Sequence, residues 1–112
     1  MNIQIFGTKK CFDTKKAERY FKERKIKYQF IDLKEKALSK GELSSVKANV
    51  GLNNLINVKA KKYLTLNLDK IRSEDIKTEI LLNNPEVYVT PIVRNGKQAT
   101  VGYKPEVWGT WE

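Results

Sequence analysis

Residues 2–17 read NIQIFGTKKCFDTKKA, and this stretch decides the fold. Ile3 and Ile5 point to one side of an extended chain and Gln4 to the other, which is typical of a β-strand. The GTKK sequence that follows predicts a turn, and the single cysteine of the chain, Cys11, ends it. The stretch therefore predicts a strand, a turn and a cysteine where the next element begins.

A helix is predicted to follow the turn. Asp13 and Thr14 both suit its N-cap position, because their side-chain oxygens accept hydrogen bonds from free backbone N–H groups at a helix start. Spacings of three and four residues give the helix one apolar face, formed by Ala17, Tyr20, Phe21 and the alkyl stem of Arg24. Residues 27–31 read as a second strand that is covered on both sides. A right-handed crossover makes the two strands parallel, so this part of the chain predicts a β-α-β unit.

The middle of the chain is predicted to be helical. Ser39 suits the N-cap of a helix that Gly51 ends, because glycine adopts the backbone of a helix stop at little cost. A further helix is predicted from Ser73 to about Asn83, with acidic residues in its first turn. An Asn-Pro pair follows and ends it, because the residue before a proline disfavours helical backbone.

The last third of the chain returns to strands. Residues 87–93 are rich in β-formers, the RNGK sequence at 94–97 predicts a hairpin turn, and residues 98–103 form the return strand. Pro105 begins a short terminal helix, whose two tryptophans are expected to hold it against the sheet rather than to bind bases. The predicted fold class is α/β, with a β-α-β half, a helical segment and a β-hairpin-α half. At 112 residues the chain is predicted to form one domain, residues 1–112.

Composition restricts the location and the partners. Hydrophobic residues make up 40% of the chain and charged residues 31%, a balance typical of soluble globular proteins. No segment reaches the roughly 20 apolar residues that span a bilayer, and no secretory signal opens the sequence. We therefore expect a cytoplasmic protein with no membrane partner. The net charge of +9 comes mainly from scattered lysines, which favours a solvated surface over specific nucleic-acid binding.

One cysteine and no histidine restrict the chemistry. A single cysteine cannot form an internal disulfide, and without histidine there is no Ser-His-Asp triad, Cys-His couple or His-containing zinc site. Any nucleophilic chemistry therefore falls to Cys11. Backbone N–H groups and the helix dipole at a helix start stabilise a thiolate, and four nearby lysines add positive charge. The alternative is a buried cysteine that acts as a small hydrophobe, which a lysine-flanked turn disfavours.

Several short matches to a known family run through the chain in a consistent order. They are FGTKKC at 6–11, DTKKA at 13–17, NVKAK at 57–61, NP at 84–85, TPI at 90–92 and VGY at 101–103. With these stretches the chain resembles the arsenate reductase-related (ArsC/Spx/YffB) family, and above all its YffB-like branch. The resemblance implies a thioredoxin-like fold with a helical insertion at about residues 36–86. It also implies that Cys11 is the nucleophile.

The resemblance assigns further residues to the site. Those expected to tune or contact the thiolate are Thr8, Lys10 and Thr14. Thr90 and Pro91 are expected to align the substrate backbone, since thioredoxin-like folds place a cis proline opposite the cysteine. No bound cofactor is implied. Glutathione is the expected co-substrate, and glutaredoxin is one protein partner that the family suggests.

The chain departs from the family where arginines bind an oxyanion. These positions carry Lys59, Thr90 and Lys104. Lysine lacks the bidentate fork of arginine and threonine lacks the charge, so efficient arsenate reduction is not expected. We therefore expect a thiol-dependent oxidoreductase that acts on a small thiol or disulfide, with Lys59 available to bind a glutathione carboxylate weakly.

A transcriptional regulator related to Spx, which binds RNA polymerase, is the alternative. Spx-type proteins use a Cys-x-x-Cys switch, but Thr14 stands where the second cysteine is expected, so no internal dithiol forms. Gly51 lies near a glycine that matters for polymerase contact in Spx, although helix capping also explains it. A family member whose thiol has little activity is a third option.

Overall fold

The structure is a computed structural model that describes residues 1–111. Within this range the chain forms four strands and five α-helices, which are β1 (Ile3–Gly7), α1 (Phe12–Glu23), β2 (Tyr28–Asp32), α2 (Lys40–Val50), α3 (Lys61–Thr65), α4 (Glu74–Asn83), β3 (Ile92–Asn95), β4 (Gln98–Val101) and α5 (Pro105–Trp108). Short 3₁₀ turns follow α2 and α4, at Asn53–Leu55 and Pro85–Val87. Three helices thus separate β2 from β3, and we call this part of the chain, from α2 to the second 3₁₀ turn, the insertion.

The strands form one mixed sheet in the order β2-β1-β3-β4. β1 pairs with β2 in parallel, and β3 pairs antiparallel with both β1 and β4. The parallel pair requires a long crossover, which α1 provides, whereas the antiparallel pair needs only a tight turn. This is a thioredoxin-like sheet with a helical insertion between its two halves, and the predicted fold class is confirmed.

Apolar side chains cover both faces of the sheet. On one face the two isoleucines of β1 pack with the buried side of α1 and with Trp108 and Trp111. On the other face Phe6 packs with side chains of the insertion. Both tryptophans are buried, and the Trp108 Nε1–H donates a 2.8 Å hydrogen bond to Thr100 Oγ1. The prediction that the tryptophans hold the terminal helix against the sheet is confirmed.

The first helix of the insertion has the predicted ends. The Ser39 hydroxyl accepts a hydrogen bond from the Glu42 N–H, and the Glu42 carboxylate accepts one from the Ser39 N–H. This reciprocal capping box satisfies two N–H groups that the helix start would otherwise leave without partners. Gly51 stops the helix with a φ of 83°, a backbone conformation that other residues rarely adopt.

The third strand is shorter than predicted. β3 begins at Ile92, and residues 88–91 form an irregular segment instead of a strand. Pro91 has no N–H group to donate to the sheet, so the ladder between β1 and β3 does not extend to it. Tyr88 instead forms an isolated antiparallel bridge with Ile56 of the insertion.

The hairpin is tighter than predicted. Asn95 and Gln98 pair directly, so the turn consists of Gly96 and Lys97 alone. Gly96 has a φ of 60°, which suits a two-residue turn between twisted strands. The return strand ends at Val101, two residues earlier than predicted, because the glycine after it has a φ of 84° and turns the chain.

The start of α1 also differs from the prediction. Neither Asp13 nor Thr14 caps the helix, because it begins at Phe12 with Cys11 in the N-cap position. Thr14 instead turns inward and is fully buried. A residue type suited to a helix cap is thus used here for packing against the end of β1.

Gly7 is required because α1 passes the end of β1 at contact distance. A Cβ atom at residue 7 would lie 2.6 Å from Thr14 Cγ2 and would also overlap Thr14 Oγ1. An alanine at this position would force the helix away from the sheet. Cys11, at the start of the same helix, would move with it. The glycine therefore sets the distance between the sheet and the cysteine.

Gly7→Ala is expected to lower the free energy of unfolding by about 1–3 kcal/mol, the usual effect of overpacking. Thr14→Ala removes both overlapping atoms. The double variant is therefore expected to be more stable than the sum of the two single effects predicts, by at least about 0.5 kcal/mol. Urea denaturation of the three variants measures this coupling.

Gly41→Ala is the matched control for this experiment. A Cβ atom at this position in α2 meets nothing within 4 Å. Alanine is favoured over glycine in a helix, so this variant is expected to be more stable than wild type by about 0.5–1 kcal/mol. Additive effects of Gly7→Ala and Thr14→Ala would contradict the close approach of α1 to β1.

Candidate active site

The cysteine of the chain lies in the turn between β1 and α1. Cys11 occupies the N-cap of α1 with extended backbone angles, and its carbonyl accepts a helical hydrogen bond from the Lys15 N–H at 3.2 Å. The Cys11 N–H donates to the Thr8 carbonyl at 3.2 Å, which closes the turn. The side chain is half-buried. The thiol thus lies at the positive end of the helix dipole and is still accessible to solvent.

The segment before β3 supplies the partner of the thiol. The Thr90-Pro91 peptide bond is cis, and Pro91 is buried. The Thr90 hydroxyl donates to Cys11 Sγ at 3.0 Å, and the thiol donates to the Thr90 carbonyl oxygen at 3.7 Å. Cys11 and Thr90 are 79 positions apart in the sequence. The sheet brings them together, because β1 ends where its antiparallel neighbour β3 begins.

Two opposing effects determine the pKa of the Cys11 thiol. Burial raises this pKa, because low-dielectric surroundings disfavour the anion. The hydroxyls of Thr14 and Thr90 and the backbone N–H groups of Thr14 and Asp13 donate towards the sulfur and lower the pKa. The hydrogen bonds together outweigh burial, so the pKa of Cys11 is lower than that of an ordinary thiol.

Thr14 has an unusual position among these donors. Its hydroxyl is fully buried and forms no hydrogen bond of standard geometry with another residue in 1–111. It nevertheless lies near enough to the sulfur to lower the pKa of Cys11. Both observations agree if the hydroxyl donates to the sulfur once the thiol ionises. A buried hydroxyl without a partner is unfavourable, and the thiolate is an acceptor that can satisfy it.

Five of the predicted site residues come together at or next to Cys11. They are Cys11, Thr14 and Thr90 through their side chains, Thr8 through its backbone carbonyl, and Pro91 through its peptide bond to Thr90. Three come from the β1–α1 region and two from the segment before β3. The site is therefore assembled from both halves of the thioredoxin-like fold.

The three predicted lysines are not part of this cluster. Lys10 lies in the turn before Cys11, Lys59 lies before α3, and Lys104 precedes α5, and all three side chains are exposed. Among residues 1–111, their ammonium groups form no hydrogen bond or ion pair. Hydrogen bonds, rather than lysine charges, account for the lowered pKa of Cys11.

Sequence reasoning missed two aromatic side chains. Phe12, directly after Cys11, is 72% exposed, and Tyr103 is 38% exposed. The Lys16 Nζ lies 5.4 Å from the centroid of each ring, which is within the range of a cation–π contact. The signal that identifies Phe12 is its place outside the apolar spacing of α1, since a large apolar side chain on the outer face of a helix has no role in the core.

The described residues contain neither a metal-binding cluster nor a membrane-spanning helix. No group of three or more histidine, cysteine, aspartate or glutamate side chains within residues 1–111 is placed to hold a metal ion. In the same part of the chain, every helix is too short or too polar to cross a bilayer. The groups that the fold places at the sulfur are hydroxyls and backbone amides.

A mixed four-stranded sheet, a cysteine at the start of the first helix and a cis proline opposite it define the thioredoxin-like class of proteins. Within that class, the ArsC family model matches residues 6–111. The chain belongs to the ArsC family, and the family resemblance found in the sequence is confirmed.

Two relatives and one solved structure illustrate what the chain is similar to. Protein YusI of Bacillus subtilis (strain 168) is 29% identical over 111 residues, which cover 95% of this chain and 94% of YusI. Global transcriptional regulator Spx 2 of Oceanobacillus iheyensis is 29% identical over 107 residues, which cover 92% of this chain and 78% of Spx 2. Arsenate reductase from Vibrio cholerae superimposes with a TM-score of 0.85 at 25% identity, covering 96% of this chain and 94% of that chain.

The alkylation of Cys11 is expected to follow the lowered pKa. Because the thiolate is the reactive form, the rate of reaction with iodoacetamide should have a pH midpoint below the roughly 8.5 of an ordinary thiol. Thr90→Val removes a donor and is expected to raise this midpoint, whereas Thr90→Ser keeps the hydroxyl and the low midpoint. Thr65→Val, in α3, is the control that leaves the midpoint unchanged. A wild-type midpoint at or above about 8.5 would contradict the site described here.

The lowered pKa also makes stability depend on pH. A thiol with a lower pKa in the folded state stabilises the fold fully above its unfolded-state pKa of about 8.5, and this contribution is lost as the pH falls through the folded-state pKa. The difference in free energy of unfolding between wild type and Cys11→Ala is therefore expected to grow with pH across that interval. Denaturation of both proteins over a pH series measures it, and a constant difference would oppose the assignment.

Proposed function

We propose that this ArsC-family protein is a thiol-dependent oxidoreductase in which Cys11 is the single nucleophile and glutathione is the reducing co-substrate. The observation that carries the proposal is the thiol at the start of α1 with the Thr90 hydroxyl 3.0 Å from its sulfur. Hydrogen bonds of this kind lower the pKa of a thiol and raise the fraction of thiolate, which is the nucleophile in disulfide exchange.

The proposed reaction consists of two exchanges on a mixed disulfide between glutathione and a substrate thiol. The Cys11 thiolate attacks the glutathione sulfur, a Cys11–glutathione S–S bond forms, and the original S–S bond breaks. The substrate thiolate leaves and takes a proton from water. A second glutathione thiolate then attacks the Cys11–glutathione bond, which yields oxidised glutathione and restores the Cys11 thiolate. The attacking glutathione is oxidised, and the substrate sulfur is reduced.

The second exchange needs a thiol from outside the chain, because the chain has one cysteine. Thr14 stands three residues after Cys11, where a second cysteine would form a Cys-x-x-Cys pair. In the proposed mechanism the hydroxyls of Thr14 and Thr90 stabilise the thiolate before attack and after its release. The backbone of Thr90, next to the sulfur, aligns the substrate chain, and Pro91 holds that backbone in place.

Arsenate is not the substrate that we propose. The Vibrio cholerae relative carries arsenate reductase in its name, but the arginines of this chain are engaged or lie elsewhere. Arg94 donates to Gln4 Oε1 at 2.8 Å and lies 3.9 Å from a Glu42 carboxylate oxygen. The exposed Lys59 and Lys104 supply charge without a bidentate fork, and they remain available for the carboxylates of glutathione.

A regulator that binds RNA polymerase is the second candidate function. The similarity to Spx 2, which covers 92% of this chain, favours it. Gly51 ends α2 with a positive φ, so its role as a helix stop accounts for the glycine without a polymerase contact. Pull-down with purified RNA polymerase separates the candidates: wild type and Cys11→Ser are expected to be retained equally if the protein is a regulator that does not use its thiol.

The proposed activity is tested by the glutathione-dependent reduction of a small glutathione mixed disulfide. Wild-type protein is expected to accelerate the reaction well above the rate without protein, and Cys11→Ser is expected to return it to that rate. Thr90→Val is expected to be about tenfold slower near neutral pH, since an increase of one pKa unit lowers the thiolate fraction by that factor. Thr65→Val is again the control and is expected to match wild type.

Absence of turnover in the wild-type protein, with Cys11 reduced and the fold intact, would overturn the oxidoreductase proposal. Retention of purified RNA polymerase under the same conditions would then favour the regulator. Turnover that persists in Cys11→Ser would show that the thiol is not the nucleophile.

A further inference from the structure

The positive charge of the chain is concentrated around the cysteine and its helix. Residues 9–27 contain nine of the 22 basic residues and only three of the 13 acidic residues. This segment includes the turn before Cys11, all of α1 and the residues that lead to β2. It carries a local excess of six positive charges out of the total of nine. The positive charge is therefore concentrated in this segment rather than spread evenly along the chain.

Part of this charge lines a groove between α1 and the start of α5. The groove has a volume of about 410 Å³. Its walls are formed by Lys16, Arg19, Tyr20 and Arg24 of the α1 region and by Tyr103 and Pro105 on the other side. Glu23 is the one carboxylate in the lining. Three cations against one anion give the groove a positive local potential, which attracts negatively charged groups.

The three cations have no carboxylate partner within the described residues. The ion pairs found in residues 1–111 are Lys47–Glu74, Lys62–Glu86 and Arg94–Glu42, and none of them involves the groove. The Arg24 guanidinium instead lies 3.7 Å from the centre of the Tyr20 ring and donates to the Tyr20 carbonyl at 3.2 Å. Its position is therefore fixed before any ligand binds, which lowers the entropy lost on binding.

The groove lies close to the thiol site. Lys16 lines the groove, and its Nζ lies 5.4 Å from the ring of Phe12, the residue next to Cys11. Tyr103 lines the same groove and follows Gly102, whose N–H donates to the Pro91 carbonyl at 2.8 Å. A polypeptide that reaches the Cys11 sulfur can therefore extend past Lys16 along this side of α1 towards the other cations of the groove.

We propose that this groove binds an acidic segment of a polypeptide whose cysteine forms a disulfide with Cys11. This inference rests on the proposed function for the exchange reaction and applies it to a polypeptide disulfide, in which Cys11 attacks the polypeptide sulfur instead of a glutathione sulfur and the other sulfur leaves as a thiolate. Distance along α1 favours a polypeptide over glutathione alone. Arg24 is thirteen positions after Cys11, about 20 Å along a helix. An extended tripeptide spans only about 10 Å, whereas about six extended residues span the whole distance. Carboxylates at alternate positions of such a segment meet Lys16, Arg19 and Arg24 in turn.

We expect the groove to increase the rate at which acidic partners associate with the protein, rather than to bind them with high affinity. Exposed ion pairs contribute little free energy each. A cluster of like charges beside a reactive group nevertheless increases the rate of association with an oppositely charged partner, and salt suppresses this effect. The groove thus distinguishes acidic disulfide partners from neutral ones by their rates of exchange with the same thiol.

The experiment compares two kinds of synthetic peptide, each carrying one cysteine as a mixed disulfide with thionitrobenzoate. In one kind, glutamates lie on one side of the cysteine, and two such peptides are made, one with the glutamates before the cysteine and one with them after it. The other kind has glutamines at the same positions. The absorbance of released thionitrobenzoate gives the rate of Cys11 attack. In wild-type protein at low ionic strength, the faster glutamate peptide is expected to react about tenfold or more faster than its glutamine counterpart. At about 0.15 M salt this ratio is expected to fall towards one.

Two double variants that lose the same charge test whether the groove is the place where the acidic segment binds. Lys16→Gln/Arg19→Gln changes the groove and is expected to reduce the glutamate-to-glutamine ratio at least about threefold. Lys70→Gln/Lys97→Gln changes exposed lysines outside the groove and is expected to keep the wild-type ratio. A wild-type ratio near one, or an equal decrease in both double variants, would overturn the proposal.

Binding without exchange separates this inference from the proposed function. Fluorescent peptides with serine in place of cysteine report on the groove alone. If wild type reacts with none of the disulfides but binds the glutamate peptide, and Lys16→Gln/Arg19→Gln loses that binding, the groove proposal stands and the oxidoreductase proposal fails. If a single-stranded DNA oligonucleotide displaces the glutamate peptide and binds more tightly than it, the groove is a nucleic-acid site and the proposal is wrong.

Discussion

The contact between α1 and the end of β1 is the constraint on which the site depends. Thr14 packs so closely against Gly7 that no Cβ atom fits between them. This contact fixes the height of the helix start relative to the sheet, and with it the position of Cys11. The antiparallel pairing of β1 and β3 then places Thr90 beside the sulfur. One small residue in a strand thus determines whether a hydroxyl 79 positions further along the chain reaches the thiol.

The insertion holds the same site from the opposite side. The Val89 N–H donates to the Leu55 carbonyl at 2.8 Å, and the Asn57 N–H donates to the Val87 carbonyl at 2.8 Å. These bonds fix the segment that leads to Thr90. The sheet cannot hold this segment, because Pro91 has no N–H group to donate to a neighbouring strand. The irregular backbone before β3 is therefore not loosely held. Its backbone groups form hydrogen bonds with the insertion instead of with a neighbouring strand, and these bonds keep the Thr90 carbonyl beside the sulfur.

Local patterns made the fold class predictable, whereas long-range packing decided the details. The alternation in β1, the spacing in α1 and the caps at Ser39 and Gly51 depend on neighbours in sequence, and the structure follows them. The cap of α1 could not be predicted, because Thr14 is taken up by packing against Gly7. The position of Pro91 opposite Cys11 was predicted from resemblance to thioredoxin-like folds, and no local signal predicts the hydrogen bond from Thr90 to the thiol. The groove was also missed, because its two walls are separated in sequence and only the fold joins them.

The single cysteine has a consequence for how this protein can be observed. A protein with two neighbouring cysteines releases its partner when it closes an internal disulfide, and its oxidised form then carries no trace of what it met. Here the chain has one sulfhydryl group, so every disulfide that it forms keeps the other molecule attached. The mass of the intact oxidised chain therefore identifies its most recent covalent partner, and the protein keeps a chemical record until another thiol removes it.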